Sequence, residues 1–197
     1  MSTQSRSAAF FALGHPRDPK ERYYGHVEGR RDGQAFSWDD LQNIRCGMLD
    51  PTEKLECVVP KGLPSAKVLL WMSVTLPVLT EEAAKIWLQA KLTGWKAIPV
   101  DLVDPQKRLI GAGFAISVTG RCGPTVVQSG HRKKIGVMDY DHGLTFDNKS
   151  WDGSDIFCET GKRASIYTTE RVKELSQSAG IDALFIPFHE VPTIVST

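Results

Sequence analysis

The clearest group of side chains that could do chemistry in this 197-residue sequence is an aspartate-rich segment from Asp139 to Asp155. Closely spaced carboxylates suit hard cations, but a calcium loop starting at Asp147 would need oxygen ligands where Lys149 and Trp151 stand. We therefore predict no metal site and no cofactor here. We interpret the segment as a solvated or partner-facing acidic loop. Its candidate contact residues are Asp139, Asp141, Asp147, Asp152 and Asp155.

The cysteines are a second possible source of chemistry. They are Cys46, Cys57, Cys122 and Cys158. None belongs to a Cys-x-x-Cys pair, which is typical of zinc and thioredoxin-like sites. We expect all four to be reduced apolar fillers. Acidic residues just upstream of Cys158 disfavour a reactive thiolate there, so its predicted role is structural.

Other catalytic patterns are weak. Asp141-His142 and His189-Glu190 are neighbours that would point to opposite faces of a strand, so neither pair predicts a catalytic dyad. The Gly111-x-Gly113 pair lacks the third glycine of a dinucleotide fingerprint. We predict that the protein is not an enzyme. A small enzyme whose site forms only in three dimensions is the alternative.

Composition gives no support to two classes of protein. Lysine plus arginine total 24 against 23 for aspartate plus glutamate, so the net charge of +1 gives no overall attraction to nucleic acid. A nucleic-acid-binding module around Arg132-Lys133-Lys134 is the second alternative. The longest apolar stretch, 68–79, falls well short of the roughly 20 residues that a membrane span needs. The N-terminus lacks a signal-peptide pattern, so we expect a cytoplasmic protein.

One pattern occurs twice and predicts two strand-helix-strand units. The copies run from Thr80-Glu81 through Gly94 to Ile98-Pro99, and from Thr169-Glu170 through Gly180 to Ile186-Pro187. In each helix the apolar residues form one stripe, and the opening threonine is expected to cap the first amides. The stripes are Ala83, Ile86, Trp87 and Ala90, then Val172, Leu175 and Ala179. The closing glycines are expected to end the helices.

These elements predict an α+β fold with a mixed sheet in one domain, 1–197, built of two halves. The first unit spans 64–104, a polar loop region 130–155, and the second unit 156–191. Two short strands, 10–13 and 23–27, are expected to form an N-terminal hairpin. The connection 29–64 shows no sustained period and is expected to be irregular. A strand with a bulge or a close backbone approach is predicted over 109–118, because Gly111 and Gly113 interrupt it.

The C-terminal quarter resembles a known pattern. Trp151-Asp152-Gly153-Ser154-Asp155-Ile156-Phe157 is followed by Thr169-Glu170-Arg171-Val172-Lys173-Glu174-Leu175 and a strand that ends at Pro187. This arrangement resembles immunity proteins of bacterial polymorphic toxin systems. The rest of the chain resembles, more loosely, the double CxxCG motif proteins. Cys46-Gly47 and Cys122-Gly123 each lack the preceding cysteine of that motif, so no zinc site is carried over.

The resemblance implies a non-enzymatic protein that binds and blocks a cognate toxin in the cytoplasm of the producing cell. The acidic segment is then a candidate contact surface that could steer a basic toxin. Its alternative role is a solvated loop in which Trp151 and Phe157 are core anchors. A homo-oligomer is compatible with the sequence.

Overall fold

A computed structural model describes residues 9–14, 24–28, 30–31, 34–52, 54–63, 65–72, 76–127, 132–135, 138–161 and 165–194. Within these residues the predicted α+β class is confirmed. The helices are α1 (Trp38–Arg45), α2 (Glu81–Gln89) and α3 (Glu170–Ser178). The first nine strands are β1 (Phe10–Gly14), β2 (Tyr24–Glu28), β3 (Arg30–Arg31), β4 (Gln34–Ala35), β5 (Leu55–Val58), β6 (Leu69–Met72), β7 (Leu76–Thr80), β8 (Trp95–Val103) and β9 (Leu109–Val118). They are followed by β10 (Gly120–Cys122), β11 (Val126–Val127), β12 (Arg132–Ile135), β13 (Met138–His142), β14 (Leu144–Thr145), β15 (Ile156–Glu159), β16 (Tyr167–Thr169), β17 (Leu184–Pro187) and β18 (Pro192–Ile194).

Six strands close into a barrel in the order β2-β5-β8-β9-β7-β6. Alternate side chains of these strands point inward and pack with Leu41 and Ile44 of α1 into one buried cluster. Gly113 on β9 lies so close to β7 that an added Cβ would stand 2.6 Å from the carbonyl oxygen of Leu79. The predicted strand 109–118 and its close backbone approach are thus confirmed.

A second sheet of five strands has the order β10-β15-β16-β1-β17. Its pairs are antiparallel except for β10 with β15. The helices α2 and α3 pack into an apolar cluster that joins this sheet to the barrel, with Trp87, Ile156 and Val172 fully buried. Phe10, Phe157 and their neighbours form a separate aromatic cluster. Among the described residues, no helix is long and apolar enough to cross a membrane.

Both predicted units are present and share one strand arrangement. In the first, β7, α2 and β8 follow one another, and β9 lies between the two strands. In the second, β16, α3 and β17 follow one another, and β1 lies between the two strands. Each unit also carries an antiparallel strand on its outer side, β6 in the first and β15 in the second. The N-terminal strand therefore fills, in the second unit, the place that β9 fills in the first.

The predicted N-terminal hairpin is wrong. The strand β1 pairs with β16 and β17, whereas β2 pairs with β5 and β6 in the barrel. Two short apolar strands that are adjacent in sequence predict a hairpin only if no better partner exists elsewhere. Here each strand fills an open position in a different sheet.

The irregular connection predicted over 29–64 is also wrong, because it contains α1 and β5. Helix α1 begins with a capping box, in which Ser37 Oγ accepts from Asp40 N at 3.1 Å and Asp40 Oδ2 accepts from Ser37 N at 3.0 Å. Leu41 and Ile44 supply its buried face. The helix covers little more than two turns, too few for the period to stand out in the sequence.

The segment predicted as a polar loop over 130–155 contains strands. In it β12 pairs with β13, β13 pairs with β18, and a 3₁₀ turn spans Asn148–Ser150. The alternation of apolar and polar residues that marks a half-buried strand is absent here, so the pattern concealed the hairpin. The partner strand β18 is distant in sequence, so no local pattern indicated that it pairs with β13.

Candidate functional site

The two units meet through their helices. The indole Nε1 of Trp87 on α2 donates to the Ser176 hydroxyl on α3 at 3.0 Å, and both side chains are fully buried. When Thr80 is aligned with Thr169, Trp87 falls opposite Ser176 in the repeat. Corresponding positions that touch each other are the mark of a local two-fold relation.

The same relation is repeated at the strands. Leu69 N, at the start of β6, donates to Asp182 O of the second unit at 3.0 Å. Ile156 N, at the start of β15, donates to Thr93 O of the first unit at 3.1 Å. Each unit thus gives the other one backbone bond at the equivalent place, which supports a duplicated unit.

The threonines that open α2 and α3 stand at the N-cap positions, but neither side chain caps its helix. Thr80 Oγ1 donates to Ala66 O at 2.6 Å and accepts from Val68 N at 3.1 Å. Thr169 Oγ1 lies 3.4 Å from Asp155 Oδ1. The predicted caps are therefore wrong, because each hydroxyl instead contacts the segment that leads into the neighbouring strand, β6 for Thr80 and β15 for Thr169.

The closing glycines also differ between the copies. Gly180 follows α3 with φ +69°, as predicted. In the first copy the corresponding left-handed residue is Lys91, with φ +54°, and Gly94 lies further on with φ +82°. An added Cβ at Gly94 would stand 2.0 Å from the Ile156 carbonyl oxygen, so this glycine serves the contact between the units.

Asp155 is the polar centre of the joint between the two units. Its buried carboxylate accepts from Thr93 N at 2.9 Å, Thr93 Oγ1 at 3.1 Å and Arg171 Nη1 at 2.8 Å. Arg171 Nη2 also donates to Ala90 O at 2.7 Å, at the end of α2. One carboxylate and one guanidinium therefore fasten the loop before β15 and the start of α3 to the end of α2.

The rest of the Trp151 to Phe157 motif is structural too. The Trp151 indole donates to Ser154 O at 3.0 Å, and its ring packs against Phe10 at a centroid distance of 5.1 Å. Asp152 Oδ2 accepts from Arg121 N at 2.7 Å. Phe157 lies fully buried in the aromatic cluster. The alternative prediction, that Trp151 and Phe157 anchor the core, is the one that the packing bears out.

The predicted acidic contacts divide into three groups. Asp155 is 8% exposed, and its carboxylate bonds Thr93 and Arg171 within the fold. Asp152 is exposed but bound by its neighbours, and Asp147 is exposed with one carboxylate oxygen on Lys149 N at 3.0 Å. Asp139 and Asp141 lie on β13, and their side chains fall outside the described part of the chain.

The β12–β13 strand pair sets basic positions opposite acidic ones in its backbone register. In the backbone register Arg132 is paired with Asp141, and Lys134 with Asp139. Directly opposed opposite charges stabilise a strand pair by about 0.2–1 kcal/mol. The register therefore places the basic positions of β12 beside aspartate positions of β13.

An open cleft of about 520 Å³ lies beside the aromatic cluster. Its lining includes Phe10, Phe146 and Phe188 together with Lys173 and His189. Lys173 Nζ lies 4.4 Å from the centroid of the Phe11 ring. His189 Nε2 is 3.5 Å from Glu190 Oε1, so these neighbours do meet, because a 3₁₀ turn replaces the assumed strand.

All four cysteines are free and buried, as predicted for apolar fillers. Burial raises the pKa of Cys57 to about 12, with Glu56 and Asp101 adding to the effect. Burial also raises the pKa of Cys122 to about 11. A raised pKa keeps these two thiols protonated, so we expect them to be unreactive in the native fold.

Cys46 and Cys158 form a pair that the sequence did not indicate. The interaction with Cys158 lowers the pKa of Cys46 against the opposing effect of burial. Arg45 and Arg121 lower that pKa further, while the interaction with Cys46 and burial raise the pKa of Cys158. The one local signal was the arginine directly before Cys46. The second cysteine and Arg121 come from other elements.

No protein-family model and no curated protein matches the chain. Among the residues with described positions, no three histidine, cysteine, aspartate or glutamate side chains are grouped so as to hold a metal ion.

Proposed function

We propose that this chain is a cytoplasmic immunity protein that binds and neutralises a cognate bacterial toxin without catalysis. The main supporting observation is that the two sequence elements on which the resemblance depends contact each other in the fold. Asp155 of the first element bonds Arg171 of the second, and Arg171 bonds Ala90 of the other unit. A joint of three separate segments supports a shared folding unit, because a chance match of residues would not need to form one.

The proposed toxin contact is the charged hairpin β12–β13 together with Asp147. It lies outside both strand-helix-strand units, so changes there leave the joint intact. In its backbone register the positions of Asp139 and Asp141 on β13 are paired with those of Lys134 and Arg132 on β12. Complementary charge patterns mainly set the association rate and select one partner over others.

The function is tested by first searching the neighbouring coding region for a toxin-domain protein and then using that protein. Co-expression of this chain is expected to restore growth of cells that make the toxin, and the purified proteins are expected to form a 1:1 or higher complex in calorimetry. A chain that binds no neighbouring toxin and gives no protection contradicts the proposal.

The contact surface is tested by charge reversal. Asp139→Lys, Asp141→Lys and Asp147→Lys together are expected to slow association at least about tenfold at low salt, with a smaller effect at high salt. Asp50→Lys is the matched control, because Asp50 is an exposed aspartate on another surface, where it pairs with Lys96. Equal effects of the triple variant and the control would remove the hairpin as the contact and leave the toxin binding itself intact.

A further inference from the structure

Two cysteines from distant parts of the chain lie side by side between the barrel and the five-stranded sheet. Cys46 ends α1, and Cys158 stands in the middle of β15. They are 5% and 3% exposed and belong to one apolar cluster. Arg121 lies next to both, because it is the register partner of Cys158 and its guanidinium donates to the Cys46 carbonyl oxygen. Among the neighbouring groups, Cys158 has the largest effect on the pKa of Cys46, which it lowers.

Two arginines make this pocket positive. Arg45 is only 4% exposed, and its charge lowers the pKa of Cys46. Arg121 is the register partner of Cys158, and its guanidinium donates to the carbonyl oxygens of Cys46, Val118 and Gly120. The C-terminal end of α1 opposes a thiolate, but Arg121 covers its last carbonyl. Nearby cations favour the thiolate, which is the reactive form of cysteine.

We propose that Cys46 and Cys158 are a redox-active dithiol that hydrogen peroxide converts into an intramolecular disulfide. The Cys46 thiolate attacks one peroxide oxygen, the O–O bond breaks, and hydroxide leaves, which yields a sulfenic acid. The Cys158 sulfur then attacks the Cys46 sulfur, the S–O bond breaks, and water leaves with the Cys158 proton. The two sulfurs lose two electrons, and the peroxide gains them.

The disulfide would join α1, which packs on the barrel core, to the five-stranded sheet. Since these parts otherwise meet through apolar packing and hydrogen bonds, oxidation fastens the two halves covalently. The cross-link closes a long loop, and such links raise stability chiefly by restricting the unfolded chain. The site is independent of the proposed toxin binding.

The test uses the full-length protein, treated with hydrogen peroxide and then with dithiothreitol. We expect oxidation to consume two of the four thiols. Peptide mapping without reductant should then recover Cys46 linked to Cys158, the melting temperature should rise, and dithiothreitol should reverse both changes. Cys57→Ser and Cys122→Ser should behave as the wild type. Loss of thiols at those positions instead, or disulfides only between chains, overturns the proposal.

A second variant separates the two steps. In Cys158→Ser the sulfenic acid has no resolving thiol, so dimedone is expected to label Cys46 after peroxide treatment. Cys46→Ser should give no dimedone adduct at Cys158. An adduct at Cys158 in Cys46→Ser and none at Cys46 in Cys158→Ser would reverse the assigned roles and contradict the proposal.

A measurement on the unmodified chain needs no variant to fold. Brief iodoacetamide pulses across pH are expected to label Cys46 with a midpoint below those of Cys57 and Cys122. The groups that face its sulfur are Arg45 from α1, Arg121 from β10 and Cys158 from β15. Labelling of Cys46 only after denaturation would overturn the proposal, because the thiolate would then be inaccessible to an oxidant.

Discussion

Trp87 and Ser176, which occupy corresponding positions in the two units, are bonded to each other at 3.0 Å in the core. A local two-fold relation brings equivalent residues together at its axis, and here the equivalents have diverged into a donor and an acceptor. The contact joins α2 to α3, and so it holds the barrel side of the molecule to the five-stranded sheet.

Ser176→Ala tests this contact. The variant leaves the buried Trp87 indole without its acceptor, so we expect a loss of about 1–3 kcal/mol in the free energy of unfolding. Urea denaturation followed by circular dichroism gives the value. Ser178→Ala is the control in the same helix, because Ser178 is exposed, and a change within about 0.5 kcal/mol is expected. Equal effects of the two variants would contradict the role of the contact.

Asp155→Ala removes the polar centre of the joint between the units. Bonds to a charged buried group are worth about 1.5–3 kcal/mol each and are not additive, so we expect a total loss of about 3 kcal/mol. Asp147→Ala, which removes an exposed cap of a 3₁₀ turn, should cost no more than about 1 kcal/mol. If thermal and urea unfolding rank the two variants in the opposite order, Asp155 is not the centre of the joint.

Lys91→Gly is expected to stabilise the protein. Lys91 has φ +54°, whereas the corresponding residue of the second unit is Gly180. Relief of the left-handed conformation is worth about 1–2 kcal/mol, and the greater freedom of glycine in the unfolded chain takes back part of it, which leaves about 0.5–1 kcal/mol. Lys85→Gly, inside α2, should instead cost about 1 kcal/mol. Destabilisation by both variants would show that Lys91 makes a contact that outweighs its strain.

Acid should weaken the protein partly through Asp152. Desolvation raises the pKa of Asp152, but hydrogen bonds from Ser154 and from the Arg121 amide outweigh it and hold the pKa below 3.8. A lowered pKa in the folded state gives stability that is complete above the ordinary value of 3.8 and is lost as pH falls through the lower value. Urea unfolding across acidic pH should therefore show a weaker pH dependence in Asp152→Asn. An unchanged dependence would exclude this carboxylate as a source of acid sensitivity.

Periodic segments were the part of the fold that sequence could predict. The stripes of α2 and α3 and the strand 109–118 are in the structure because helical and strand periods follow directly from which side chains are apolar. Short elements with long-range partners were missed. Strands β12 and β13 show no apolar alternation, and α1 spans Trp38–Arg45 only.

For the candidate site, the sequence identified the carboxylates and thiols but could not predict which residues surround them. From the sequence, Asp155 was interpreted as an acidic surface residue, but in the structure its carboxylate bonds Arg171 and Thr93. Cys158 was interpreted as an inert structural residue, but in the structure it affects the pKa of Cys46. Carboxylate and thiol behaviour depends on neighbouring charge and on burial, and both come from segments far away in the chain.

The sequence by itself determined the α+β class, the repeated unit and its buried helix faces, because these depend on local periodicity and on apolar content. Only the tertiary structure decided that β1 completes the second unit, that Trp87 meets Ser176, and that two cysteines share a positive pocket. Pairing of strands and side chains across long separations is set by the competition among all available partners, and no single segment contains that information.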